Sequence, residues 1–196
     1  MRRSRTSSLA RPRRLLLIAA IAAIASTGAL LALASRASVA GAATGTRASH
    51  PVDTQALFKS RLLWATIDIC NAADQPDTLG VRGSMPGDGE AHDTMYMRFR
   101  LQYLNATTKA WTDLANGVSP HYASVGTGAS ARQGGRSFQL SPVAGQPAVT
   151  MRGVVTFEWR RGSTVLAQIS RPTSAGRKSL AGSDPEGFSA ASCVIG

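Results

Sequence analysis

The chain has 196 residues, with 22 basic side chains against 11 acidic ones and a formal net charge of +11. Taken at face value that charge points to nucleic acid or a membrane surface, but it is unevenly placed. Arg2, Arg3, Arg5, Arg11, Arg13, Arg14 and Arg36 precede residue 41 with no acid among them, which leaves residues 41–196 with 15 basic against 11 acidic groups, a balance of only +4. Spread over a domain of that size, and without a base-stacking motif, +4 is no nucleic-acid footprint.

Residues 1–14 form a basic n-region, and Leu15 to Ala34, LLLIAAIAAIASTGALLALA, is an uncharged run of 20 residues. Ser38-Val39-Ala40 fits the small-x-small pattern of a cleavage site after Ala40. Two readings stand. A cleaved secretory signal ends near Ala40. A signal-anchor keeps residues 1–40, and 20 residues at about 1.5 Å each span a hydrocarbon core of about 30 Å. The length of the run favours anchoring, while its alanine content and the Ser26-Thr27-Gly28 break favour cleavage. Either way the arginine cluster stays inside and the rest is exported. Arg13-Arg14 matches the pair of a twin-arginine signal, without the rest of that motif.

Only two cysteines are present, Cys70 and Cys193. An even pair in an exported chain favours a disulfide over two reduced buried thiols. Such a bridge joins the first strand to the last and closes a loop of more than a hundred residues. In the chain-entropy account a loop of that length contributes roughly 4–5 kcal/mol.

Residues 41–54 are small and polar and read as a linker that includes a solvated His50. The domain then runs over 55–196. Gln55 to Arg61 can form a helical turn. Leu62 to Cys70 is the first strand, with Leu63, Ala65, Ile67 and Ile69 in its apolar row and Leu62, Trp64, Thr66, Asp68 and Cys70 in the other. Asn71 to Asp77 is turn chemistry, Thr78 to Arg82 a short strand, and Ser84 to Asp93 a loop. Thr94 to Asn105 alternates cleanly, with Met95, Met97, Phe99, Leu101 and Tyr103 facing one way and Tyr96, Arg98, Arg100 and Gln102 the other. Trp111 to Leu114 returns after a tight loop. Residues 115–135 form a long Gly/Ser/Ala-rich connection with a short edge strand near Tyr122 to Val125, and Arg136 to Val143 is the next strand.

Met151 to Arg171 reads as a β-hairpin. Met151, Gly153, Val155, Phe157 and Trp159 make the apolar row, and Arg152, Val154, Thr156, Glu158 and Arg160 the other. Arg161-Gly162-Ser163 turns the chain and Thr164 to Ser170 returns. Residues 171–187 are a second loop, and Phe188 to Ile195 closes as a last strand. Seven or eight short strands at this spacing, with no amphipathic helix in the exported part, predict an all-β fold and a β-sandwich.

The segments MYMRFRLQYLN, the lone Trp111, SFQLSPV, VVTFEWRRGSTVLAQISR and the distal cysteine resemble a group of small secreted actinobacterial proteins with an immunoglobulin-like or fibronectin-type-III-like sandwich. The resemblance covers Leu62 to Cys193 and rests on structural motifs. It implies an exported immunoglobulin-like domain with a first-strand cysteine paired near the C-terminus, and it implies no catalytic residues. Here the second cysteine falls later than in that group, after the 171–187 loop.

Chemistry-bearing patterns are sparse. Asp74, Asp77, Asp88, Glu90, His92 and Asp93 are the densest polar group, and loop carboxylates can hold Ca²⁺. No EF-hand spacing is present, and one histidine without a matched His or Cys makes no transition-metal set. No metal or cofactor is assigned. Ser119 and His121 supply two members of a nucleophilic triad on paper, without a G-x-S-x-G elbow. Trp64, Trp111 and Trp159 read as core, the alternative being an exposed aromatic platform for carbohydrate, and Asn105-Ala106-Thr107 as an acceptor sequon of no consequence in a bacterial protein. Arg98, Arg100, Arg152 and Arg160 lie on the polar rows of two strands. If those strands share a sheet, they form a face that can bind anionic polymers such as cell-wall phosphates or acidic glycans. The alternative is a solvated face, its charge moderated by Glu158.

The reading is therefore an exported, non-enzymatic binding or structural module. It is secreted, or held at the outer face of the cytoplasmic membrane by its N-terminal helix. Its partner is a cell-envelope polymer or surface protein. The alternative is a secreted hydrolase-type enzyme with a site built from loops 84–93 and 115–135.

Overall fold

The computed structural model describes residues 51–177 and 180–196. The signal or anchor helix, its apolar run 15–34, the Ala40 cleavage site and most of the linker lie outside the described residues. Among the described residues no helix is long and apolar enough to cross a membrane.

The first element is α1, Thr54–Lys59, where the Asp53 carboxylate caps the N-terminus by accepting from the Ala56 N–H at 3.0 Å. Among the described residues nine strands follow: β1 Trp64–Ala72, β2 Gln75–Met85, β3 Thr94–Leu104, β4 Trp111–Val118, β5 Ala123–Thr127, β6 Arg132–Gln139, β7 Val149–Arg161, β8 Thr164–Pro172 and β9 Cys193–Ile195. They form two antiparallel sheets. One has the order β1-β2-β6; the other has the order β4-β3-β7-β8, with β5 also on β3 and β9 also on β7. The longest ladder joins β3 to β7, from Thr94 opposite Arg160 to Tyr103 opposite Met151. Both strands alternate apolar and polar residues, so one register buries both apolar rows at once.

The core lies between the sheets. Ile67, Leu79, Val81 and Met85 from the first meet Met95, Met97, Leu101, Val155, Phe157 and Trp159 from the second, all fully buried. Two glycines let the sheets approach. A Cβ on Gly153 would lie 2.6 Å from Val81 Cγ2, and one on Gly83 would lie 2.9 Å from Phe157 Cε1. The Trp159 indole N–H donates to the Pro86 carbonyl at 2.9 Å, so its polar edge is satisfied inside the core.

The Cys70–Cys193 disulfide is formed, with the two Cα atoms 5.6 Å apart and a sequence separation of 123. It ties the end of β1 in one sheet to the start of β9 in the other. The hairpin β7–β8 turns at Gly162, whose φ of +57° suits the first position of a two-residue loop.

Several boundaries differ from those the sequence predicts. β2 starts at Gln75 and runs to Met85, well beyond Thr78–Arg82, because Gly80 and Gly83 interrupt the apolar pattern while its ladder with β6 continues from Thr78 to Met85. β6 begins at Arg132, four residues before the expected start, since Gly134-Gly135 carries no side-chain pattern. The last strand is only Cys193–Ile195; Phe188 to Ser192 is irregular apart from one bridge between Ala190 and Ile67.

β1 differs most. Its second row lies outside the apolar pattern, yet Trp64, Thr66 and Asp68 are buried. The chain after β8 straps this strand. Ser174 N–H donates to the Ala65 carbonyl, Ile67 and Ala190 exchange both backbone hydrogen bonds, and Asp184 N–H donates to the Asp68 carbonyl. A free sheet edge is thereby covered. The Asp68 carboxylate inside it is paired with the Arg82 Nε at 2.8 Å, and Arg82 also donates to the Ala181 and Gly182 carbonyls of the strap. Burial pushes the Asp68 carboxyl above its usual range, and Arg82 only partly offsets this.

Candidate anion-binding face

β3 and β7 are neighbours, and cross-strand partners in an antiparallel ladder point to the same side. Tyr96 lies opposite Glu158, Arg98 opposite Thr156, Arg100 opposite Val154 and Gln102 opposite Arg152. Arg98, Arg100, Arg152 and Arg160 therefore share the outer face of the six-stranded sheet. Arg152 and Arg160 are eight residues apart on one strand, about 26 Å.

Each end of this row is built differently. At one end, Arg160 forks onto Glu158 through Nε and Nη2, both at 2.8 Å. Its guanidinium carbon lies 4.7 Å from the Tyr96 ring centroid and 5.0 Å from that of Tyr122. Glu158 is only 1 % exposed although it sits on the polar row, because these side chains cover it. The fork raises the Arg160 pKa further, and burial followed by the Glu158 carboxylate raises that of Tyr122. Arg98 Nε donates to the Ser119 carbonyl at 3.2 Å, beside the same Tyr122 ring.

At the other end, the Arg152 guanidinium stacks 4.3 Å from the Trp111 ring centroid, and its Nε donates to Gln102 Oε1 at 2.8 Å. Gln102 Nε2 in turn donates to Asp113 Oδ1 at 2.8 Å, and Arg100 Nη1 to Asp113 Oδ2 at 3.1 Å. Burial, then the neighbouring Arg100 charge, lowers the Arg152 pKa. β4 places Trp111 and Asp113 here through its pairing with Gln102 to Leu104. Trp111 is thus a half-buried flank of this face, a correction to its reading as core; Trp64 and Trp159 are buried.

The other sequence candidates separate. Asp74 lies in the β1–β2 turn and Asp77 near the start of β2, while Asp88, Glu90, His92 and Asp93 lie in the β2–β3 connection. Asp93 is fully buried, forked by Arg161 at 2.7 and 2.8 Å, and approached by His92 Nε2 at 3.4 Å. That fork holds the Asp93 carboxyl below its usual range. Asp88 Oδ1 accepts from the Glu90 N–H; its Oδ2 is buried with no donor among the described residues, and burial raises its pKa. Among the described residues no group of three or more His, Cys, Asp or Glu is arranged to hold a metal ion. Ser119 is buried with its hydroxyl donating to the Phe99 carbonyl and accepting from the Phe99 N–H, while His121 is exposed. The paper triad is not assembled there.

Gln102, Tyr96 and Glu158 were readable as members of the polar rows. Asp113 and Tyr122 were not, since their contacts come from strands folded back across β3. A cleft of about 600 Å³ at the β4–β9 end of the sheet is lined by Leu114, Leu140, Val143, Val149, Met151 and Ile195, with no charged side chain in its wall.

No family model matches the chain, and no curated protein does. Among solved structures it is similar to the Pseudomonas fluorescens alkylpurine DNA glycosylase AlkC bound to DNA containing an abasic site analog, at 11 % identity over 57 % of this chain and a TM-score of 0.28. The match spans 29 % of that protein's chain. At that level the likeness carries no argument about fold or function.

Proposed function

We propose that this chain is an exported, non-enzymatic module with an immunoglobulin-like sandwich, akin to the small secreted actinobacterial proteins it resembles, and that it binds an anionic polymer of the cell envelope. The observation that carries this reading is the β3–β7 register, which gathers four arginines on one sheet face. Three of them, Arg98, Arg152 and Arg160, lie against aromatic rings, which fixes the guanidiniums before any ligand arrives. The leader-like N-terminus and the Cys70–Cys193 disulfide support export, because such bridges persist in oxidising compartments.

The test is equilibrium binding of the processed protein to immobilised polyglucuronate and to poly(glycerol phosphate), over a series of salt concentrations. Retention that weakens as salt rises supports the reading. Failure to retain the protein on either polymer at low ionic strength refutes it. An intact mass from culture medium and from membranes, compared with the mass of residues 41–196, separates a released protein from an anchored one.

A further inference from the structure

We infer that the anion is taken at one end of this face only, where Arg100, Arg152, Gln102 and Trp111 form a subsite for a single monoanionic oxyanion group, a carboxylate or a phosphodiester. This rests on the reading of the face given above. Arg98 and Arg160 are structural.

The two ends differ in how their charge is already matched. Arg160 has both fork nitrogens on a carboxylate that is almost fully buried, and tyrosines on either side. An incoming anion would have to displace Glu158 and leave it buried without a partner, which is strongly unfavourable. Arg98 is turned onto a backbone carbonyl next to Tyr122.

One carboxylate, Asp113, lies at this end; it is half exposed and divided between Arg100 and Gln102. Among the described residues, Arg152 has only an amide oxygen as acceptor, and the buried Arg100 Nε has none. Two guanidinium charges against one carboxylate leave this end at +1. Burial and the Arg100 charge disfavour the Arg152 cation, and the opposite charge of an anion between the two offsets that cost.

Geometry allows one anion to reach both. Gln102 is opposite Arg152 and Val154 is opposite Arg100, so the two arginines are diagonal neighbours, about 7–8 Å apart at the backbone. Planar guanidiniums match the two oxygens of a carboxylate or phosphodiester. A phosphomonoester, with close to two charges, exceeds what a +1 site balances and meets Asp113. Trp111, against the Arg152 guanidinium and half-buried, keeps that guanidinium in place and leaves apolar surface beside the charge for a carbon skeleton.

The experiment is isothermal titration of the processed protein with two probes of equal charge, an oligoglucuronate and an oligo(glycerol phosphate). Arg152→Gln and Arg100→Gln should each weaken binding roughly tenfold to a hundredfold, as expected for loss of a charge-assisted hydrogen bond. Arg98→Gln, at the other end of the face, should weaken binding less than either, and Arg136→Gln, on the three-stranded sheet, should stay within about twofold. Asp113→Asn should tighten binding, by roughly two- to fivefold, because it removes the competing carboxylate, and a gain of affinity cannot come from misfolding. A response to either probe alone, or to both, supports the subsite and identifies the oxyanion. If wild type binds but Arg100→Gln and Arg152→Gln bind equally well, or if Arg98→Gln is as damaging as they are, the subsite is wrong while the module reading survives. If wild type binds neither probe, both readings fall.

Discussion

Replacing Cys70 and Cys193 together by alanine should remove a large part of the stability of this fold. The bridge spans 123 residues. The chain-entropy relation then gives about 16 cal/mol/K, or about 5 kcal/mol at 25 °C, for the freedom that the unfolded chain regains. Native packing changes little, since alanine keeps a small apolar group at Cys193, which is 2 % exposed and already in the core. A domain of roughly 150 residues, Ala48–Gly196, has an unfolding entropy of about 0.3 kcal/mol/K near its midpoint. The expected fall in Tm is therefore about 16 °C. Total stabilities of ~5–15 kcal/mol make this a third of the whole or more. The assay is thermal and urea unfolding of wild type, reduced wild type and the double variant. Reduced wild type should match the variant, because both lose the same constraint. A variant that keeps native near-ultraviolet dichroism and melts within about 5 °C of the oxidised protein would refute the entropic account of this staple.

Other perturbations test the interior. Gly153→Ala should cost about 1–3 kcal/mol, because its methyl would meet both Val81 γ carbons and the Thr173 γ carbon inside 3 Å; an unchanged urea midpoint would show that the sheets can part there. Arg82→Leu leaves Asp68 buried beside the strap and should cost about 3 kcal/mol at neutral pH. The folded Asp68 carboxyl titrates above its unfolded value, so its contribution is complete in acid and is lost as pH rises through the folded value. The Arg82→Leu deficit should accordingly shrink toward acid pH, and a deficit independent of pH would count against a charged Asp68 as its source. Asp88 is also raised, whereas Asp93 is lowered and contributes above the usual carboxylate range, its share lost as pH falls through its folded value. Because Asp88 is buried and raised, the β2–β3 connection should loosen as pH rises through its folded value, and Asp88→Asn should abolish that loosening; protection factors at Gly89 and Glu90 that track wild type throughout would contradict this.

Much of the fold was legible because strand alternation is a local property. The rows of β3 and β7 were read correctly, residue by residue, and once two strands alternate with the same period their pairing follows from burying both apolar rows. The four arginines were visible for the same reason. Glycine-bearing strands were less legible. Gly80, Gly83, Gly134 and Gly135 contribute no hydrophobic pattern, so the pattern makes β2 too short and places β6 four residues late, although Gly83 is required by the Phe157 ring across the core. The Cys70–Cys193 bridge followed from counting cysteines in a chain with an export-like leader.

The sequence by itself determined the alternation, the candidate cysteine pair and which residues could face outward. Only the tertiary structure decided which of those residues are free to act. The Asp93–Arg161 fork, the Tyr96 and Tyr122 rings beside the Glu158–Arg160 pair, and the Asp113 bridge between Arg100 and Gln102 depend on strands returning across one another, with 68 residues separating Asp93 from Arg161. The strap that buries Thr66 and Asp68 arrives from more than a hundred residues away. A charge's capacity to bind depends on its neighbours in space, through their distance and the water they exclude, and a strand's own pattern carries neither quantity.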